Sequence, residues 1–177
     1  ALNTPVTGGN VSFYNESPDY AVYPTPTIGM VGLIEDINTV TTSFFKQEGD
    51  LIAVIGSNSG ELDGIGGSEY MKLIHDKVTG DAPDINIDDE KRLIRAVLDM
   101  IKSKLINSAH DISDGGIAVA IAESCLMKRT FPIGCNVNIM KRNRRDFALF
   151  NESQGRILIS FNSSFESEIR VICEKRG

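Results

Sequence analysis

Short apolar runs that alternate with glycine-containing polar segments constrain this 177-residue chain more than any other feature. Every apolar run is far shorter than the ~20 residues needed to cross a bilayer, so the sequence predicts no membrane span. Strand-like runs such as residues 51–56 alternate with helix-like stripes such as the one over residues 88–105. This order is typical of an α/β sandwich with helices on a mixed sheet, and we predict that fold class.

The apolar spacing predicts the position of each element. Strands are expected at residues 5–14, 28–36, 51–56, 108–113, 133–139 and 156–161. Helices are expected from Tyr70 to Val78 with a stop at Gly80, and over 88–105, 117–127 and 166–175. The longest helix should face the core with Ile94, Val97, Leu98, Ile101 and Leu105. The first two strands have no layer to pack on, so they need a partner.

Composition excludes several classes of protein. The net charge of −6 argues against a general nucleic-acid binder. Three cysteines without CxxC spacing argue against a disulfide framework or a zinc site, and favour a reducing, cytoplasmic compartment. The first residues form no signal peptide and include no initiator Met, so we expect an excised part of a longer protein. The basic run 141–145 is either a solvated loop or a contact for a partner or phosphate.

The segment Val6–Glu16 is the first candidate binding segment. The adjacent glycines Gly8 and Gly9 let backbone N–H groups approach a phosphate without interference from a Cβ atom. Asn10 offers a neutral oxygen that suits Mg²⁺, and on a strand Ser12 would share its face. From the spacing alone, an ordinary glycine bend at the start of a strand is the favoured alternative.

The segment His110–Gly116 is the second candidate, with Asp114 placed to cap the following helix. The N–H groups of Gly115 and Gly116 would be open to an anion, although an Asp-Gly turn alone also explains the pattern. His110 has no visible acid or nucleophile partner in the sequence, which favours a structural histidine over a catalytic one.

The segment Asn151–Arg156 is the third candidate. Glu152 and Gln154 could bond ligand hydroxyls, and Arg156 could donate a paired hydrogen bond to a carboxylate or phosphate. A solvated turn that enters a strand is the alternative. The glycine-rich residues 60–67 match neither phosphate-binding glycine signature, so they are weak evidence for a nucleotide site.

Together these segments resemble the back part of the phosphoribosylformylglycinamidine synthase family, within the aminoimidazole ribonucleotide synthetase-like superfamily. The resemblance rests on residues 4–16, Pro24–Asp36, Gly66–Tyr70, His110–Gly116 and Leu149–Gln154, in the family's order. It covers essentially the whole chain. Sister enzymes share an element like Asp111–Gly116, whereas the first two segments are more specific.

The resemblance implies a ligase of purine biosynthesis. The formamide oxygen of formylglycinamide ribonucleotide attacks the γ-phosphate of ATP, and glutamine-derived ammonia then displaces phosphate from the iminophosphate. It implies that Gly9 contacts ATP, Asn10 ligates Mg²⁺ and Ser12 contacts the substrate. It assigns no catalytic residue here, because the family's catalytic histidines lie in a front half. Glu152, Ser153 and Gln154 correspond only by pseudo-symmetry to a substrate-binding segment.

The resemblance also implies a division of the chain. Residues 1–45 would be the last strands of a preceding synthetase-like domain, and residues 46–177 a C-terminal α/β domain truncated at its end. The implied partners are the front half, a glutaminase subunit or domain and a small accessory subunit. Without the front half, we expect the chain to be inactive and its first two strands to pair between molecules or fray. A non-catalytic module that binds nucleotide or docks the glutaminase is the alternative.

Overall fold

The computed structural model describes residues 2–12, 14–23, 25–56, 64–128, 130–139 and 144–177. The described residues form three strands: β1 (Leu51–Gly56), β2 (Ser108–Asp111) and β3 (Arg156–Phe161). They also form five α-helices: α1 (Glu69–His75), α2 (Ile87–Lys102), α3 (Gly116–Leu126), α4 (Arg145–Phe150) and α5 (Glu166–Arg176). Short 3₁₀ turns cover Ile37–Thr39 and Ser163–Phe165.

The three strands form one sheet in the order β1-β3-β2. Both strand pairs are antiparallel, and Leu158 of β3 lies between Val54 of β1 and His110 of β2. One isolated parallel bridge joins Thr42 to Ser108 at the outer edge of β2. Helices lie on both faces of this sheet, which confirms the predicted α/β fold class.

One face of the sheet packs against α2 and α5. Ile159 and Phe161 of β3 meet Met100 of α2 and Ile169 of α5 in one buried cluster. The predicted stripe on α2 is partly wrong, since Ile94 and Leu98 are exposed while Leu93, Ala96, Val97 and Met100 are buried. The buried face is rotated because α2 packs against β3 and α5 through Leu93, Ala96, Val97 and Met100. The side chain of the N-cap residue Asn86 accepts from the N–H groups of Asp88 and Asp89.

The opposite face packs against α3 and the segment before β1. Leu158 of β3 forms a second buried cluster with Phe45, Ile112 and Ala120. Alternate β3 residues therefore serve different cores, as the two-residue period of a strand requires. Small residues on α3, such as Ala120, permit this close packing.

Three predicted strands are absent from the described residues. Residues 5–12 and 28–36 form no strand, and their apolar side chains are exposed. Residues 133–139 alternate in sequence but pair with no strand. The physical reason is the same in each case: a strand pattern becomes a strand only where another strand and a core are available to it.

Smaller differences concern helix ends. Helix α1 stops at His75, before the predicted Gly80, because Asp76 adopts a left-handed conformation. Helix α4 was not predicted: Arg144 and Arg145 of the basic run begin it, and Arg144 pairs with Asp146. Residues 141–143 lie outside the described residues. No helix in the described part of the chain is long and apolar enough to cross a membrane.

Candidate functional site

A single carboxylate joins three of the segments that the sequence singled out. Glu152, just before β3, accepts hydrogen bonds through Oε1 from the Gly115 N–H at 2.7 Å and the Glu69 N–H at 3.0 Å. The backbone N–H of Glu152 donates to the Gly64 carbonyl at 2.7 Å. We call this arrangement the Glu152 junction. It connects the first residues of α1 and α3 to the start of β3.

Two glycines are required at the start of α3, because its backbone there lies very close to the chain that precedes β3. Gly115 and Gly116 have φ angles of 76° and 65°, a region that side chains disfavour. A Cβ on Gly116 would lie 2.6 Å from the Asn151 carbonyl oxygen. The backbone of this turn therefore contacts the chain before β3 directly.

The predicted cap at Asp114 is wrong. Gly115 is the N-cap residue of α3, and no side chain of the cap residue bonds the helix. The expected anion at these N–H groups is supplied by the protein itself, because Glu152 accepts from Gly115 while the Gly116 N–H donates to the Ser113 carbonyl. A helix N-terminus favours such a carboxylate. The sequence signal was present in both segments, but only the fold shows that they meet.

Arg156 holds the segment before β3 from the other side. Its Nε donates to the Ser153 carbonyl at 3.1 Å, and one terminal nitrogen donates to the Asn151 carbonyl at 2.5 Å. The sequence suggested a carboxylate or phosphate partner, but these two bonds go to backbone carbonyls. Burial of the guanidinium lowers the pKa of Arg156 from its usual value.

His110 behaves as a structural histidine. Its side chain is 9% exposed, and Nε2 lies 3.0 Å from Glu123 Oε2 on α3. Nδ1 lies 3.3 Å from Asp111 Oδ1, but the angle does not make a hydrogen bond. The contact with Glu123 fixes α3 against the edge strand β2, so the structure supports the structural interpretation of this residue.

Gly9, Asn10 and Ser12 lie on an exposed part of the chain. No described atom lies within 4 Å of a Cβ placed on Gly9. Ser12 bonds only locally, since its Oγ accepts from the Tyr14 N–H at 3.4 Å and its carbonyl accepts from Asn15 Nδ2 at 2.8 Å. The structure brings the second and third segments together at the Glu152 junction, whereas these three residues are presented to solvent.

The residues present supply only part of a Mg²⁺-nucleotide site. Asn10 offers one neutral oxygen, whereas Mg²⁺ prefers six oxygen ligands, several of them water or phosphate. Among the described residues, no cluster of three or more His, Cys, Asp or Glu side chains could hold a metal ion. Asn10 therefore fits the ion as one ligand that needs carboxylates and phosphates from elsewhere.

Comparison with known proteins identifies the domain that carries the junction. The family described as AIR synthase related protein, C-terminal domain, matches residues 47–177. The chain belongs to this family. The match includes every strand and α-helix described above, together with the Glu152 junction.

The chain is similar to curated proteins over most of its length. It is 49% identical over 161 residues to the phosphoribosylformylglycinamidine synthase subunit PurL of Symbiobacterium thermophilum, an alignment that covers 90% of this chain and 20% of that protein. It is 45% identical over 171 residues to the PurL subunit of a Thermoanaerobacter species, with 97% and 22% covered. The chain thus spans about a fifth of the length of these relatives. The resemblance that the motifs indicate is confirmed.

Solved structures have the same fold. Thermotoga maritima PurL complexed with FGAR is 25% identical, with a TM-score of 0.63 over 79% of this chain and 24% of that one. The same protein complexed with ATP is 21% identical, with a TM-score of 0.55, and this match concerns the fold alone. The expected family fold is therefore confirmed.

Proposed function

We propose that this chain forms part of an ATP-dependent ligase of purine biosynthesis. The reaction would convert formylglycinamide ribonucleotide, ATP and glutamine-derived ammonia into formylglycinamidine ribonucleotide. The observation that carries the proposal is the sequence identity of 49% and 45% to phosphoribosylformylglycinamidine synthase subunits over almost the whole chain. A Thermotoga maritima relative of the same fold has been solved with FGAR.

In this proposal residues 46–177 are the C-terminal domain, and residues 1–45 belong to the preceding domain. The front half of the enzyme supplies the catalytic groups, a glutaminase subunit delivers ammonia, and a small accessory subunit joins them. The compartment is the cytoplasm. The Glu152 junction holds α1 and α3 against β3, and so gives this domain the rigidity that a composite site requires.

We further propose that Gly9 contacts ATP, Asn10 ligates Mg²⁺ and Ser12 contacts the substrate. Support comes from their exposure, which leaves the Gly9 backbone, the Asn10 amide and the Ser12 hydroxyl available to groups from the front half. When bound, Mg²⁺ would neutralise charge on the transferring phosphoryl group. The role of this chain is to position one oxygen of that ligand set.

A chimera tests this proposal. The segment of the Symbiobacterium thermophilum PurL subunit that aligns with this chain is replaced by it, and FGAR-dependent ATP hydrolysis with ammonia is measured. We expect activity, and we expect Asn10→Ala to raise the Mg²⁺ concentration needed for half-maximal rate by about 10-fold or more. Thr7→Ala is the matched control, because Thr7 is exposed on the same segment. Equal Mg²⁺ dependence in both variants would contradict the metal role.

The chain on its own provides the complementary test. We expect no FGAR-dependent ATP hydrolysis above background, since the proposed site is completed by other residues. Turnover that disappears with Asn10→Ala would overturn the composite site. Tight ADP binding without turnover would favour a non-catalytic nucleotide-binding module instead.

A further inference from the structure

A large cavity, partly open to solvent, lies on the α3 and α4 face of the sheet. Its volume is about 970 Å³, and strands β1 and β3, helices α3 and α4 and residues 132–139 line it. Sites for small ligands span roughly 300–1,000 Å³. The cavity therefore has the dimensions of a ligand site.

The walls of this cavity combine apolar and polar surface in similar proportions, and the apolar part is continuous along the sheet. Ile52 and Val54 of β1 and Leu158 of β3 form the floor, and Ile117 and Ile121 of α3 form one side. Val54 is 42% exposed although it lies within a strand, so the described residues leave part of its side chain uncovered. An apolar group in the cavity would remove this surface from water.

Arg156 provides a cation at one end of the cavity. A guanidinium has five N–H donors, and the bonds to Ser153 and Asn151 use only part of this capacity. Both partners are neutral carbonyls, and no carboxylate among the described residues forms an ion pair with Arg156. The other arginine on the wall, Arg144, is paired with Asp146. Because the described residues give this partly buried cation no counterion, it favours binding of an anion.

The charges are separated along the cavity. Arg156 lies opposite Gly56, at the end of β1, whereas the acidic wall residues Glu48 and Asp50 precede Leu51, at its beginning. Five residues of strand correspond to about 17 Å. An anionic group is therefore attracted to one end and repelled from the other.

We propose that this cavity binds a small amphipathic anion, with its carboxylate or phosphate on Arg156 and its apolar body over Ile52, Val54 and Leu158. The inference is independent of the proposed function, because none of Gly9, Asn10 and Ser12 takes part. The expected ligand has one anionic end and an apolar part about as long as a medium alkyl chain.

Octanoate, octyl phosphate and the neutral octanol are suitable probes. In chain labelled with ¹³C at the isoleucine δ1 methyl groups, we expect octanoate or octyl phosphate to shift Ile52, Ile117 and Ile121. Ile169 and Ile172, in the core on the other face, should not shift. Whichever of the two anions binds more tightly shows whether the site favours a carboxylate or a phosphate. Shifts at the exposed Ile28, Ile34 and Ile37 instead would overturn the site.

Charge specificity is the decisive measurement. Arg156→Gln should weaken binding of the anion by about 10-fold or more and leave octanol unchanged. Arg170→Gln is the matched control, since Arg170 is an exposed arginine of α5 paired with Glu166. Equal losses for the anion and for octanol would refute the role of Arg156.

A second variant keeps the test valid if Arg156→Gln disturbs the fold. Val54→Phe adds volume inside the cavity at an uncovered position, so the domain should keep its methyl spectrum and lose probe binding. Undiminished binding in this variant would show that the probe does not occupy the cavity.

Discussion

Residues 2–40 and residues 45–177 contain the same kinds of apolar residue, yet these side chains are mostly exposed in the first region and form the cores in the second. In the first region Val31 is 98% exposed and Ile28 is 84% exposed. In the second, Met100 and Ile159 are fully buried between the sheet and its helices. Residue type and spacing are therefore insufficient to bury a side chain. A partner surface must exist, and the first region has none within the described residues.

The largest effect should come from an isoleucine that has such a partner. Ile159→Ala removes a side chain from the core between β3 and α2, and we expect unfolding free energy to fall by about 2–5 kcal/mol. Ile28→Ala, at an exposed position, should change it by less than about 0.5 kcal/mol. Urea denaturation measures both. A large effect at Ile28 would show that residues 2–40 are packed in solution.

Two glycines, one in the packed region and one in the exposed region, test the same difference in packing. Gly116→Ala places a Cβ 2.6 Å from the Asn151 carbonyl at a φ of 65°, so we expect a loss of about 1–3 kcal/mol. Gly9→Ala has free space around it and should leave the unfolding free energy unchanged. Thermal denaturation of both variants checks this. If Gly9→Ala nevertheless impairs the chimera, its glycine serves a ligand rather than the fold.

The sequence predicted the packed region well, because periodicity reports directly on burial there. All three strands of the sheet and the helices α1, α2, α3 and α5 were expected within a few residues. Helix α4 was missed because its six residues are too few for a helical period. The apolar face of α2 was misplaced because its apolar residues are compatible with more than one face, and packing against β3 and α5 selects one of them.

The Glu152 junction could be predicted only in part. The sequence marked each of its segments as polar and rich in small residues, which is correct. It could not show that one carboxylate serves two helix N-termini, because Glu69, Gly115 and Glu152 are distant in sequence and meet only through the sheet. The sequence likewise indicated Arg156 as a partner for a carboxylate or phosphate, but it gave no sign of the cavity beside it, whose walls come from distant segments.

The junction should contribute less than the core. Glu152→Gln keeps an acceptor oxygen but removes the charge that strengthens the bonds from Gly115 and Glu69, so we expect a loss of about 1–2 kcal/mol. Glu174→Gln, at an exposed position on α5, is the matched control and should be neutral. Chemical denaturation of both measures the difference. Equal stability would show that the two backbone N–H groups are satisfied by water.

Removal of residues 2–40 should have the smallest effect on stability. These residues bury little apolar surface, so the unfolding free energy of the remaining chain should change by less than about 0.5 kcal/mol. In the intact chain, their amides should exchange rapidly while those of β3 are protected.

The concentration dependence of that exchange distinguishes two reasons for exposed strand-like segments. Protection that appears only as concentration rises would mean that residues 5–14 and 28–36 pair between molecules, as unpaired strands tend to do. Fast exchange at every concentration would mean that they remain frayed until another part of the proposed enzyme covers them. Protected amides in a strictly monomeric chain would contradict both, because the exposed backbone would then have a partner within the same molecule.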